Sequence, residues 1–408
     1  MRTDTKIMYD FLSDDQISIL ERHLQSRFTN TNSSEKFNVV FDLLHQCDIN
    51  CIGCGTNAIC IRGVHKIEKP ELTFDAIEKI LMKIKNYADF ANKEVFINYG
   101  GGEPFLRNDI IRILKRTCDL FGANGVGIDT NASLLDSYEM IRQAAPYVSY
   151  IGVSINGLHD YHNWWANNHT FDAYDRATDV IRKLCEVPEL VSKLEVTTVA
   201  TTQNIDSIPD LMEELSVLGV KNYSVHRAIP VGRMERQKME LIPSWKQYLL
   251  LLLKMIETAK RTGMNAHLHH SIEGIHGALM CGIDTLANKK LIDKNHRSSI
   301  GIEPNGEITI DPWCTVGYWK NLSLGNILCD SRTIEELFAE NQEKIARIQN
   351  CYAVEYRCDG CIERCSGGSR IVAAATYLKE MKCNYTNETI YRAFSEKDPA
   401  CPLYEVTK

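Results

Sequence analysis

The sequence predicts an α/β fold: a parallel sheet with helices on its faces, followed by a smaller cysteine-rich region. Three observations predict it. Apolar strand-like runs and helix-periodic runs alternate between residues 37 and 229, giving six strands in all, and such alternation is the pattern of a parallel sheet covered on both faces. The 408 residues are 44% hydrophobic and 24% charged, an ordinary globular composition with chain enough for about two to three domains. The 15 cysteines are gathered toward the two ends of the chain.

In chain order, Asp14 is a candidate cap for a helix through Ile17, Leu20 and Leu24, and residues 29–34 read as a polar linker. Residues 37–44 are a β-branched apolar strand, and 73–88 have helical spacing behind Thr73, a candidate N-cap. Strands follow at 94–100, 125–131, 150–156, 194–201 and 222–229, with helices at 108–122, 137–146, 170–186 and 207–219 between them. The count fits a partial barrel as well as a doubly wound sheet, and in either one ligands sit at the C-terminal ends of the strands. Beyond residue 236 the pattern changes to one amphipathic helix at 243–263, a hairpin at 300–313 around Asn305-Gly306, and a helix at 333–350. The expected division is an N-terminal extension and linker (1–36), the barrel (37–235), a bridging helix and junction (236–300) and a cysteine-rich domain (301–408) that needs metal to hold it together.

Net charge is −7, which argues against nucleic acid as the main partner, since phosphate binding wants a basic face. The first residues carry no apolar signal-like run. The apolar run Leu249–Leu253 is too short to span a bilayer and reads as core. A cytoplasmic protein without a membrane partner is expected, and in that reducing compartment clustered cysteines read as soft-metal ligands rather than disulfides.

Cys47, Cys51 and Cys54 stand in the loop after the first strand. Zinc would want a fourth ligand there, for which Cys60, His45 and His65 are candidates. A [4Fe–4S] cluster can instead take three thiolates and leave one iron open. The Cys-x3-Cys-x2-Cys spacing in this place resembles the radical S-adenosylmethionine (SAM) enzymes, and Gly100-Gly101-Gly102-Glu103-Pro104 at the end of the second strand is similar to that family's GGEP segment. The resemblance implies a partial (β/α)6 barrel, SAM bound by Gly101 and Gly102 with Glu103 as a carboxylate acceptor, and Asn131 and Ser154 as polar strand ends that hold ribose or carboxylate. This chain departs from the family by placing Gly53, rather than an aromatic residue, before the third cysteine, and Asn156 where an acidic residue is usual.

Near the other end, Cys358, Cys361, Cys365 and Cys383 resemble the SPASM extension of radical SAM enzymes, as do Leu324-Gly325-Asn326 and Pro304-Asn305-Gly306-Glu307. That likeness implies one auxiliary [4Fe–4S] cluster on those four cysteines. Cys281 and Cys314 can join a second, with Cys351 or Cys329. Ser369 stands where members with two such clusters carry a further cysteine. Cys118 and Cys185 are expected to be helix core, and Cys60, Cys329 and Cys401 not to be ligands.

Other residues leave two readings open. His267 and His269 share a strand face as a metal pair or as plain polar residues; Arg227 and Arg233 pair with a substrate carboxylate or with structure; Trp164 and Trp165 line the substrate opening or cap the barrel. The radical SAM likeness implies cleavage of SAM to a 5′-deoxyadenosyl radical, fed by an external flavodoxin- or ferredoxin-type donor, and hydrogen abstraction from a substrate. A peptide or protein substrate is favoured over a small molecule such as an aminocyclitol or sugar, and the rival of another class is a non-enzymatic zinc or iron–sulfur protein. Only 36 residues precede the first strand, so a precursor peptide would need another docking surface or a separate recognition protein. No general base is identified. In sulfatase-maturing members an Asp follows the cysteine before the LGN segment, but Thr315 follows Cys314 here.

Overall fold

A computed structural model describes residues 7–29, 36–63, 66–67, 70–237, 239–268, 270–281, 299–309, 322–329, 331–349, 374–379, 386–393, 396, 399 and 401. Strands β1 (Phe37–Asp42), β2 (Val95–Gly100), β3 (Val126–Thr130), β4 (Tyr150–Ser154), β5 (Leu194–Ala200) and β6 (Asn222–Arg227) lie side by side in sequence order, all parallel. They are the six strands expected of the partial barrel. The sheet runs further than expected: β7 (Asn265–Leu268) pairs parallel with β6, and β8 (Ser299–Ile302) pairs parallel with the free side of β1. The Asn305-Gly306 hairpin then carries the sheet antiparallel through β9 (Glu307–Thr309) to β10 (Gly325–Asn326), so the barrel stays open between β7 and β10.

Each strand alternates between an apolar face under helices and a face toward the barrel interior. In β5 alternate residues are buried from Leu194 to Ala200, the period of two that puts one set on the core side. Helix α1 (Asp14–Thr29) starts one residue away from expectation: Ser13 Oγ accepts from Gln16 N at 3.2 Å while Gln16 Oε1 accepts from Ser13 N at 2.9 Å, so Ser13 is the cap and Asp14 the first helical residue. Helix α2 (Phe74–Ala91) begins at Thr73 as expected, with Thr73 Oγ1 accepting from Ala76 N at 3.2 Å. Its Ile77, Ile80, Leu81 and Ile84 are fully buried against the sheet, each contributing roughly 1.5–3 kcal/mol. Helices α3 (Ile110–Phe121) and α4 (Ser137–Ala144) follow the predicted pattern, and Cys118 and, further on, Cys185 pack at the edge of the core.

Between β4 and α6 (Ala173–Cys185) lies a helix the pattern did not show, α5 (His159–Ala166). Its sequence HDYHNWWA has no apolar period to reveal it. After α7 (Ile208–Val217), helix α8 (Trp245–Thr262) opens on a Ser244–Gln247 capping box and buries Leu249, Leu251, Leu252 and Leu253. Helix α9 (His270–Cys281) packs on α1, where Arg27 Nε bonds the buried Glu273 at 2.9 Å. The helix expected at 333–350 is two, Ile334–Glu340 and Gln342–Gln349, broken where Asn341 Nδ2 donates to the Leu324 and Leu337 carbonyls at 2.9 Å. Among the described residues, no helix is long and apolar enough to cross a membrane.

Candidate functional site

The C-terminal ends of β1–β6 surround a cavity of about 480 Å³. Its rim is made where two strand-end loops join. Gly102 N donates to Leu44 O at 2.8 Å and Glu103 N to Gln46 O at 2.9 Å. A Cβ on Gly102 would stand 1.7 Å from Gln46 O, and one on Gly101, whose φ is +106°, would stand 2.7 Å from Leu44 O. The loops meet only because glycine occupies both positions.

Cys47, Cys51 and Cys54 all line this cavity as free thiols. Donors are already turned to the sulfurs: Ala58 N lies 3.3 Å from Cys54 Sγ, and Asn131 Nδ2 lies 3.5 Å from Cys47 Sγ. Burial pushes the Cys51 thiol up to about 12 and Cys47 well above its ordinary value, so a bound cation is needed to hold them as thiolates. Among the described residues, the three side chains whose ligand atoms lie within 4.8 Å of one another are His159, Asp172 and Asp175, an exposed surface group, and not the cysteines. The fourth-ligand candidates do not join them. Cys60 pairs with Cys47 across two short strand segments but turns its Sγ to Asp48 O at 3.7 Å, and His45 bonds Glu71 at 3.3 Å; His65 lies outside the described residues.

Glu103 is oriented differently from expectation. It is 1% exposed, and its carboxyl accepts from Phe105 N (3.1 Å), Thr130 Oγ1 (2.9 Å) and Asn131 N (2.9 Å). It therefore ties the end of β2 to the end of β3 instead of facing the cavity. Burial, and next the Asp48 charge, push it up to about 8. Asn131 is likewise committed: its amide nitrogen bonds Asp48 Oδ1 at 2.8 Å besides reaching Cys47, and its oxygen accepts from Ser133 N at 2.8 Å. Ser154 lines the cavity, as do Gly101 and Gly102. Asn156 uses its Oδ1 to accept from Val199 N at 2.9 Å, and its own N–H donates to His162 Nδ1 at 2.9 Å. Burial pushes that imidazole down to about 4, so it stays neutral.

Gly53 finds its explanation 112 positions away. Trp165 of α5, 2% exposed, lays its ring where a Gly53 Cβ would be, 2.3 Å from the ring edge. Ile52 N bonds Trp165 O at 2.9 Å and Asn50 N bonds Ala166 O at 3.1 Å, which fix the cysteine loop to that helix. Trp165 thus lines the cavity, whereas Trp164 is 44% exposed. Arg233 resolves to structure: its Nε donates to Cys51 O at 2.6 Å and its Nη1 to Ala58 O, clamping the loop from the far side. Neither clamp was legible as a motif. Arg227 is 4% exposed and also lines the cavity.

Cys281 sits at the end of α9 with its sulfur 3.7 Å from Glu21 O, and His267 is half-buried on β7. Cys314, Cys351, Cys358, Cys361, Cys365, Cys383 and His269 lie outside the described residues.

Residues 43–215 match the family model of the radical SAM superfamily. Over 396 residues the chain is 24% identical to the Fe-coproporphyrin III synthase of Methanosarcina barkeri, covering 90% of this chain and 93% of that protein. It is 25% identical over 222 residues to the PqqA peptide cyclase of Bradyrhizobium diazoefficiens, covering 51% of each. Among solved structures, Streptococcus suis SuiB bound to precursor peptide SuiA shares the fold with a TM-score of 0.65 at 16% identity, over 93% of this chain and 79% of that one. The anSMEcpe structure with bound AdoMet and Cp18Cys peptide does so at 0.59 and 16%, over 88% and 95%.

Proposed function

From a chain that belongs to the radical SAM superfamily, and is therefore an enzyme, we propose one that acts on a peptide or protein. Cys47, Cys51 and Cys54 hold a [4Fe–4S] cluster, and the Gly101-Gly102 cradle beside them holds SAM. The donor set fits: three thiols, two of them with N–H groups already aimed at sulfur, in one cavity with a strand end that only glycine can form. That juxtaposition in one cavity is the observation that carries the reading. When bound, cluster and SAM supply a 5′-deoxyadenosyl radical able to take a hydrogen atom from an unactivated C–H bond. The chain's own part is positional. Glu103 locks the two strand ends, Arg233 and Trp165 hold the cysteine loop, and the buried walls exclude water from the reacting centre.

Cys358, Cys361, Cys365 and Cys383 are proposed to hold an auxiliary cluster, with Cys281 and Cys314 as candidates for a second, and the electron donor is of flavodoxin or ferredoxin type. The peptide reading is supported by the fold shared with SuiB in its SuiA complex and by the PqqA cyclase relative. A second reading, a tetrapyrrole substrate, is supported by the Fe-coproporphyrin III synthase likeness over 90% of the chain.

One experiment separates them. Protein reconstituted without air is incubated with SAM, dithionite and either a short peptide encoded beside its gene or an iron tetrapyrrole precursor of Fe-coproporphyrin III, and both are followed by mass spectrometry. A mass change confined to the peptide is expected; conversion of the tetrapyrrole with no change to the peptide would overturn the peptide reading.

A further inference from the structure

Next to the Gly101-Gly102 cradle the cavity carries a layer of polar side chains, with Asp42 Cβ 3.1 Å from where a Gly101 Cβ would stand. Four neighbouring strands each bring a polar side chain to the lining, Asp42 from β1, Asn98 from β2, Asp129 from β3 and Tyr150 from β4, while Glu195 of β5 is not part of it. Asn98 Nδ2 donates to Asp129 Oδ2 at 2.6 Å, Tyr150 OH donates to Asp129 Oδ1 at 3.3 Å, and Ser224 Oγ donates to Glu195 Oε1 at 2.8 Å. Room for this layer is made by two glycines on adjacent strands. A Cβ on Gly152 would stand 2.0 Å from Asp129 Oδ1, and one on Gly127 would stand 2.8 Å from Asn98 Oδ1.

Two acceptors in the layer are unspent. Asp42 is 7% exposed and lines the cavity, and its carboxyl has no hydrogen-bond partner among the described residues. Asn98 Oδ1 is buried without a partner. No lysine stands in the described lining. The other charged or titratable groups that line it are His226, Arg227 and Arg233 of the segment from β6 onward, His162, and the cysteines. Arg233 is committed to the Cys51 and Ala58 carbonyls.

We infer that this layer is a subsite for a cationic group of the substrate, a primary ammonium or a guanidinium, received by Asp42 and Asp129. The inference rests on the reading that substrate enters this cavity, and it narrows that substrate to one presenting a basic side chain or amine there. Burial, and next the charge of Asp129, push Asp42 up to about 7; burial pushes Asp129 up to about 6. A cation beside the two relieves both effects, because opposite charge favours the ionised carboxylate. An ammonium also brings three donors and no acceptor, which matches a site with acceptors to spare. An anionic group would meet only repulsion from this layer.

The test is calorimetric titration of the full-length, anaerobically reconstituted protein with n-butylammonium at pH 8, with n-butanol and butyrate as controls and SAM titrated separately. No peptide is present, so failure of the peptide reading cannot be mistaken for failure here. The expected result is n-butylammonium binding at least tenfold tighter than n-butanol. Asp129→Asn should weaken it about tenfold while the SAM affinity moves less than twofold. If Asp129→Asn does not fold, as judged by its thermal melt, Asp42→Asn carries the same expectation. Equal binding of n-butylammonium and n-butanol, or unchanged binding in the folded variants, overturns the inference. So does a parallel loss of SAM affinity, because the carboxyls would then serve the cofactor's own ammonium.

Discussion

The rim of the cavity and its floor draw on the same strand ends, yet the backbone builds the first and side chains build the second. At the rim, Gly101 and Gly102 lie against the carbonyls of Leu44 and Gln46, and the cysteine loop hangs from main-chain bonds to Trp165, Ala166 and Arg233. At the floor, Asp42, Asn98, Asp129 and Tyr150 reach the cavity as side chains from separate strands. A backbone site tolerates little variation and suits a cofactor that does not change. A side-chain site can be re-specified one residue at a time, which suits a substrate.

The largest contrast should appear in pH dependence. Asp42 is raised from 3.8 to about 7 in the folded chain, so the folded state holds its proton longer than the unfolded state. The associated stability is fully present below about pH 4 and is lost as pH rises through about 7, by up to about 4 kcal/mol. Chemical denaturation from pH 4 to 8 should show that decline, and Asp42→Asn should flatten it. At the rim, Gly102→Ala forces a Cβ against Gln46 O, a backbone atom with no flexible end to yield. A loss of about 3 kcal/mol is expected, with SAM affinity down more than tenfold by calorimetry. Gly53→Ala meets the Trp165 ring first, a side chain rather than backbone. It should cost about 1–2 kcal/mol and shift the tryptophan fluorescence, and Gly53→Ala combined with Trp165→Leu should recover much of the stability. The smallest effect belongs to Ala132, which holds φ +54° just past β3. Ala132→Gly relieves left-handed strain of about 1 kcal/mol, offset by the added freedom of the unfolded chain and by the loss of a fully buried methyl, so the melting temperature should move by no more than a degree or two.

These contrasts explain what was legible in the sequence. The six barrel strands were, because each is a β-branched run between helical periods, and so were the cysteine loop and the glycine segment, whose residues are adjacent in the chain. Helix α5 was not, since HDYHNWWA has no apolar stripe, and the pairing of β8 with β1 was not, since register between distant strands leaves no local mark. The residue type of Glu103 was legible, but not its direction: a carboxylate beside a glycine cradle looks like a ligand, and three protein donors claim it instead. Gly53 looked like a missing ring until the fold brought Trp165 to it. The floor carries one polar residue per strand, so no segment of sequence contains it.

The central claim is that three thiols hold a cluster that leaves one iron for SAM. Electron paramagnetic resonance of the reduced, anaerobically reconstituted protein, with and without SAM, tests it most directly when paired with 5′-deoxyadenosine measurement. The account predicts a cluster signal that changes on adding SAM, 5′-deoxyadenosine from the wild-type protein, and loss of both in Cys51→Ala. A Cys51→Ala protein that still responds to SAM and makes 5′-deoxyadenosine at the wild-type rate would contradict it.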